Sequence, residues 1–325
     1  MVEAAAAFLR QLLFALAVAF STNGWYNPDE KAGAGMEFAD CHVHMVLDGL
    51  DWRKAIDRHR TAPEEGWIRS VLSAYRDGGF SYIRDGGDRW GVGLRAKQLA
   101  PEYGMEYRTP LAPLYPAGHY GGFIGTGFHN FGEYVALLDT LRERGGDFVK
   151  LMISGLMDFS EFGRLTEPDE PNGELPAWIA AAHDRGFSVM AHCNGAKTAL
   201  AAAQAGVDSI EHGAYLNLSA MEAMADNGVI WVPTLSTIGN LRGKGRFPED
   251  SVRQILSSAM ENVAAYHALG GRIAPGTDAG AWAVPHAGKT EYAYLTHALG
   301  SGAEAVLKSG IAAVRERFSG EREHV

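Results

Sequence analysis

The sequence predicts an α/β fold, specifically a (β/α)8 TIM barrel, on three observations. Eight apolar, strand-like runs recur along the chain. Helical patterns separate most of them, which is the order that builds a parallel sheet. The side chains best suited to bind a metal stand at the C-terminal ends of those runs, where barrels of this kind carry their sites.

The first run, Met36–Met45, contains Asp40-Cys41-His42-Val43-His44. Side chains of a strand alternate faces with period two, so His42 and His44 point the same way. Imidazole is the commonest metal-binding side chain. An isolated His-x-His would read equally well as two ordinary histidines, but this one has companions. Runs two and three are Ser81–Gly86 and Glu106–Tyr115, and the fourth, Phe148–Ser154, carries Lys150. The fifth, Phe187–His192, ends on His192, and the sixth, Ser209–Gly213, holds Glu211-His212-Gly213. Val229–Thr234 is the seventh, and the eighth, Arg272–Thr277, leads directly into Asp278. Helical patterns cover Trp67–Asp77, Gly93–Leu99, Phe131–Arg144, Glu174–Arg185, Ala196–Gln204, Ser219–Asn227 and Ser251–Leu269. Several stop at glycine, as in Asp77-Gly78-Gly79 and Leu269-Gly270-Gly271, a normal helix C-terminal signal.

Long connections follow strands one (Val46–Trp67), three (Pro116–Asn130), four (Gly155–Gly173) and seven (Leu235–Asp250), and loops at this end of a barrel shape the pocket. Glycines 121, 122, 125 and 127 lack the Lys-Ser/Thr of a phosphate loop and read as a flexible lid. Arg242, Lys244 and Arg246 read as a solvated charge run rather than a carboxylate-binding set. Arg84-Asp85 reads as a structural ion pair at the barrel end. Glu211 should point away from the metal side and anchor backbone or an arginine.

A chain of 325 residues with 46% apolar content has ample material for one large unit. We divide it into an N-terminal apolar helix and turn, 1–35, and a barrel with C-terminal helices, 36–325. The formal net charge of −10 argues against nucleic acid as a partner, because phosphate contacts need clustered Lys and Arg. The two cysteines, Cys41 and Cys193, sit beside histidines on different strands and read as buried packing residues in a reducing compartment. Ala4–Phe20 is nearly continuous apolar sequence but short for a membrane span. It reads as a buried or interface helix, so the expectation is a cytoplasmic homo-oligomer. The alternatives are a cleaved export signal, with Ala17-Val18-Ala19 as its cleavage site, and a membrane-surface helix.

His42-x-His44, Lys150, His192, His212 and Asp278 together resemble the metal site of the amidohydrolase superfamily. The wording of Asp40-Cys41-His42-Val43-His44, Val149-Lys150, Ala191-His192, Ile210-Glu211-His212-Gly213 and Gly276-Thr277-Asp278-Ala279-Gly280 is similar to its imidazolonepropionase-like and prolidase-like branch. The resemblance runs from about Glu37 to Glu291. It implies two divalent metal ions, zinc by preference for a His-rich set, with manganese or iron as alternatives. His42, His44 and Asp278 would hold one ion, and His192 and His212 the other. Lysine binds metal poorly as an ammonium, so the resemblance implies Lys150 carbamylated by carbon dioxide and bridging both ions. The alternative is a cation that merely points into the site. His119, in Gly118-His119, resembles a substrate-binding position of the dipeptidase-like branch, and Tyr215, three after His212, resembles a residue that hydrogen-bonds the substrate.

The expected activity is therefore hydrolysis of an amide bond in a small substrate such as a dipeptide or N-acyl amino acid. A metal-bridging hydroxide would attack, with Asp278 as general base and acid. The alternative on the same residues is a lactone, a cyclic amide or another non-peptide bond, or a decarboxylation. Deamination is disfavoured, because related mononuclear deaminases place a Glu where Gly195 stands. A non-catalytic barrel is disfavoured too, since none of the six metal-site residues is replaced by an inert one. The chain departs from the branch in one respect: the usual accessory β-sandwich reads as missing.

Overall fold

The computed structural model describes residues 38–320. The apolar segment Ala4–Phe20 and the division at residue 35 lie outside the described residues. Ten strands form two parallel sheets. The first contains β1 (Phe38–Val43), β2 (Phe80–Asp85) and β3 (Glu106–Arg108), in that order. The second contains β4 (Leu114–Pro116), β5 (Thr126–Phe128), β6 (Val149–Met152), β7 (Val189–Cys193), β8 (Ser209–His212), β9 (Ile230–Val232) and β10 (Arg272–Ile273). Its order is β10-β9-β8-β7-β6-β4-β5. Backbone hydrogen bonds join the sheets at both ends. Cys41 N donates to Pro275 O at 2.9 Å and Asp278 N to His42 O at 2.7 Å, while Asp147 N donates to Thr109 O at 2.9 Å. The arrangement is TIM-barrel-like. All strands among the described residues belong to these sheets.

Two predicted strands differ from what is observed. The run Glu106–Tyr115 is two strands, broken at Thr109–Pro113. Pro110 and Pro113 cannot donate to a ladder, and Leu111 between them takes a left-handed φ of 63°. The run Arg272–Thr277 keeps regular pairing only at Arg272–Ile273, because Pro275 interrupts it. The predicted loop after the first strand contains a helix, Trp52–Arg58, whose free N–H groups at Arg53 and Lys54 are accepted by the Asp51 side chain.

Helices pack outside the strands and bury their apolar faces in one continuous core. The helix Phe131–Glu143 shows why such segments start where they do. Asn130 Oδ1 accepts from Glu133 N at 3.0 Å while Glu133 Oε2 accepts from His129 N at 2.8 Å, a reciprocal cap. A second cluster forms one layer toward the strand N-termini from the histidines: Cys41, Tyr82, Phe148 and Met190 meet Val314 and Phe318 at the end of the helix Ala303–Arg317. That helix approaches β10 closely at Gly310, where a Cβ would lie 1.9 Å from Ile273 O. No helix among the described residues is long and apolar enough to cross a membrane.

Candidate metal centre

Five of the six residues stand at or just beyond the C-terminal ends of the strands, and Lys150 lies lower, as the second residue of β6. His42 stands in β1, His44 just beyond it, Lys150 in β6, His192 in β7, His212 at the end of β8 and Asp278 on the turn after β10. A register shift between Asp40 and Val43 breaks the alternation of β1, a device common beside functional sites. Cys41 thereby packs in the lower cluster while His42 and His44 both reach Asp278, each with Nε2 3.5 Å from Asp278 Oδ1. The His42 ring centroid lies 5.1 Å from that of His212, which lies 4.6 Å from that of His192.

Three of the four histidines are oriented by a hydrogen bond at a ring nitrogen. His42 Nδ1 is 2.9 Å from Glu211 Oε2, His212 Nδ1 is 2.7 Å from Thr234 Oγ1, and His192 Nε2 is 3.1 Å from Gly155 O. Such outer partners fix ring orientation in metal sites. Glu211 does turn away from the centre, and the cation it anchors is Arg84, at 2.8 Å. Arg84 therefore pairs with Glu211. Asp85 instead accepts from Met45 N and Thr109 Oγ1, both at 3.1 Å. The Arg84 guanidinium also lies 4.3 Å from the Phe318 ring centroid, which ties the site to the floor beneath it.

The donor set fits a divalent cation. His42 Nε2, Asp278 Oδ1 and Lys150 Nζ are buried polar atoms that have no hydrogen-bond partner among the described residues, a costly state for a protein interior. Ligand atoms of His42, His212 and Asp278 all lie within 4.8 Å of one another. Burial pushes the histidines toward the neutral, ligating form: His44 and His192 fall to about 3, and His42 and His212 lie well below the ordinary value. Burial likewise lowers the Lys150 amine and raises the Asp278 carboxyl. The backbone is strained at two of these positions, with φ of 68° at His212 and 58° at Asp278.

The substrate-binding expectations fare unevenly. His119 turns outward, with 58% of its side chain exposed and Nδ1 3.2 Å from Glu167 Oε2. The residue of that loop which covers the site is its neighbour Tyr120, whose ring centroid is 4.9 Å from that of His192. No periodicity marks such a loop residue, so sequence reasoning missed it. Tyr215 is on the loop after β8, half-buried, its ring edge-on to Phe162 at 5.4 Å. The glycines read as a flexible lid wrap the Tyr115 ring. A Cβ at Gly121 would lie 2.7 Å from Tyr115 Cγ, and one at Gly127 3.0 Å from Cζ. Of the basic run, Arg242 lies 3.6 Å from Glu249 and Arg246 stacks over Trp282 at 4.5 Å.

No protein-family model matches this chain. Uncharacterized proteins of Mycobacterium tuberculosis and Mycobacterium bovis are 34% identical to it over 143 residues, 42% of this chain. The match takes in 38% of those relatives' length. Among solved structures, a Xaa-Pro dipeptidase with methionine bound in its active site is 22% identical, covering 89% of this chain and 77% of its own at a TM-score of 0.66. Ochratoxinase of A. niger is 19% identical, covering 87% and 71% at 0.69. An amidohydrolase is 20% identical, covering 91% and 82% at 0.66. The chain shares its fold with these solved structures.

Proposed function

We propose that this protein is a divalent-metal-dependent hydrolase of an amide C–N bond in a small substrate such as a dipeptide or an N-acyl amino acid. One observation carries the reading: His42 Nε2 and Asp278 Oδ1, both buried and both without a hydrogen-bond partner among the described residues, face each other across 3.5 Å. Two such lone-pair atoms need a cation between them. The likeness in fold to a Xaa-Pro dipeptidase and an amidohydrolase supports it. The two sheets would close as one (β/α)8 barrel along the bonds at Cys41–Pro275 and Thr109–Asp147.

His42 and His44, with Asp278, would hold one ion, and His192 and His212 the second. Lys150, buried among them with a free amine, would bridge as its carbamate. Zinc suits the histidines best, with manganese or iron as alternatives. Divalent cations bound here would acidify water to a pKa of about 7 and polarise a carbonyl oxygen. Asp278 takes a proton from the attacking water as the C–O bond forms. It delivers that proton to the leaving nitrogen as the C–N bond breaks. Tyr215 and His119 stand on the loops a substrate would pass, with His119 reaching it only if released from Glu167.

The test is amine release from a library of dipeptides and N-acyl amino acids, using metal-loaded protein in bicarbonate buffer. Release from a coherent subset is expected. Silence across the library with two metals bound would move the reading to lactones and other non-peptide bonds. We also propose a homo-oligomer, on the apolar run Ala4–Phe20. Light scattering at micromolar concentration would refute that by finding a monomer.

A further inference from the structure

The loop after β4 and the loop after β6 meet over the metal centre, and one carboxylate makes the junction. Glu167 Oε1 accepts from Tyr120 N at 2.7 Å, and Oε2 lies 3.2 Å from His119 Nδ1. With both neighbours gripped, His119 faces out and the Tyr120 ring lies against His192, 4.9 Å between centroids. Phe123 packs on Tyr120 at 5.7 Å and on Trp52 at 6.0 Å, which extends the cover across the mouth.

Glu167 has a firm base. Thr166 N donates to Leu156 O at 2.9 Å, and Leu156 N to Thr166 Oγ1 at 2.8 Å, which pins the two arms of the loop together. Two residues on, Asp169 accepts from Lys197 N and Thr198 N, both at 2.9 Å, at the start of the helix Ala196–Gln204. The same loop contains Gly155, whose carbonyl lies 3.1 Å from His192 Nε2. One loop therefore both orients His192 and fixes the ring that covers it.

We propose that Glu167 is a positioning residue that holds Tyr120 against His192, and that Tyr120 is the side chain a substrate meets at the metal centre. This rests on the metal-hydrolase reading. The Tyr120 phenol O–H can donate a hydrogen bond to a substrate oxygen. Its ring narrows the approach to His192, so reaching the ions requires sliding past it or displacing it.

Two kinds of variant separate positioning from bulk damage. Glu167→Gln keeps an acceptor for Tyr120 N, and its amide can meet His119 Nδ1 in the other ring tautomer, whereas Glu167→Ala removes both contacts; Tyr120→Phe keeps the ring, whereas Tyr120→Ala removes it. Each variant is loaded with zinc, its metal content counted, and zinc release to EDTA followed. Both alanine variants should release zinc about tenfold faster than wild type, Glu167→Ala through loss of one hydrogen bond to a charged group and Tyr120→Ala through loss of the covering ring. The Gln and Phe variants should release at the wild-type rate. Equal rates in all five proteins, or Gln and Phe variants as fast as the alanine ones, would overturn the proposal. If wild type binds no zinc, the hydrolase reading fails and amide hydrogen exchange over 117–125 decides the clasp alone. Faster exchange of the Tyr120 amide in Glu167→Ala supports it, and unchanged exchange overturns it.

Discussion

Glu211 Oε2 lies 2.9 Å from His42 Nδ1, and neither side chain is exposed. The other oxygen of Glu211 is 2.8 Å from Arg84 and accepts from Ser209 Oγ at 2.6 Å, while Arg84 also donates to Cys41 O at 2.7 Å. A buried cation, a carboxylate and a candidate-ligand histidine thus form one chain, in which Glu211 fixes the ring of His42 and neutralises Arg84. Losing the carboxylate should act at both ends. Glu211→Ala leaves the arginine charge buried without its partner and should cost about 3–5 kcal/mol in urea unfolding. Glu211→Gln keeps the shape and should lower zinc affinity by about 10–100-fold in titration of metal-free protein. Unchanged affinity in the Gln variant would show that His42 needs no such support.

Asp278 carries the proton in the proposed reaction. Asp278→Asn keeps an oxygen where Oδ1 stands and removes the base. Metal content by elemental analysis should stay at the wild-type stoichiometry while turnover on the best substrate of the screen falls by at least about 100-fold. Turnover within a few-fold of wild type would transfer the proton role to another group.

Lys150 is fully buried in β6 and its amine has no hydrogen-bond partner among the described residues. Burial lowers its proton affinity, and the uncharged amine is the form that combines with carbon dioxide. Bicarbonate should therefore raise the metal content of wild-type protein reconstituted from the apo form, and Lys150→Ala should bind less metal with no response to bicarbonate. A response that survives in the variant would place the effect elsewhere.

The parts legible in the sequence share a physical cause. β1, β6, β7 and β8 are short, buried runs; the histidines stand at or near their C-terminal ends, and Lys150 lies earlier in its strand, second of the four residues of β6. Pattern and spacing therefore located them. What sequence reasoning misplaced is governed by single residues rather than by period. Pro110 and Pro113 split one run in two, and Pro275 shortens another; those signals were present but outweighed by apolar character. The Asp40/Val43 register shift has no composition signature, and neither does the choice between His119 and Tyr120, which depends on a carboxylate 47 residues away. Arg84 pairs with a residue 127 positions on rather than with its neighbour Asp85, for the same reason.

A final prediction concerns pH and lies away from the metal centre. Glu291 is fully buried at the start of the helix Thr290–Leu299, and its two oxygens accept from Leu235 N at 3.0 Å and Ser236 N at 2.7 Å. Burial outweighs those bonds and raises its carboxyl from 4.5 to about 8. Between those values the unfolded chain has released the proton while the folded protein still holds it, so folding takes up a proton and stability falls as pH rises. The contribution is fully present below about pH 4.5 and is lost by about pH 8. Asp40, raised to about 6 by burial, and Asp85, raised to about 7, act in the same direction, whereas the buried histidines act oppositely. The effect of Glu291 must therefore be read as a difference between two proteins. Glu291→Gln cannot ionise, so its stability relative to wild type should increase from pH 5 to pH 8, by on the order of 3 kcal/mol in urea titrations at each pH. The offset at pH 5 should favour wild type, because the amide can accept only one of the two backbone bonds. A difference that stays flat with pH would mean that Glu291 is ionised in the folded protein, with the Leu235 and Ser236 amides outweighing its burial.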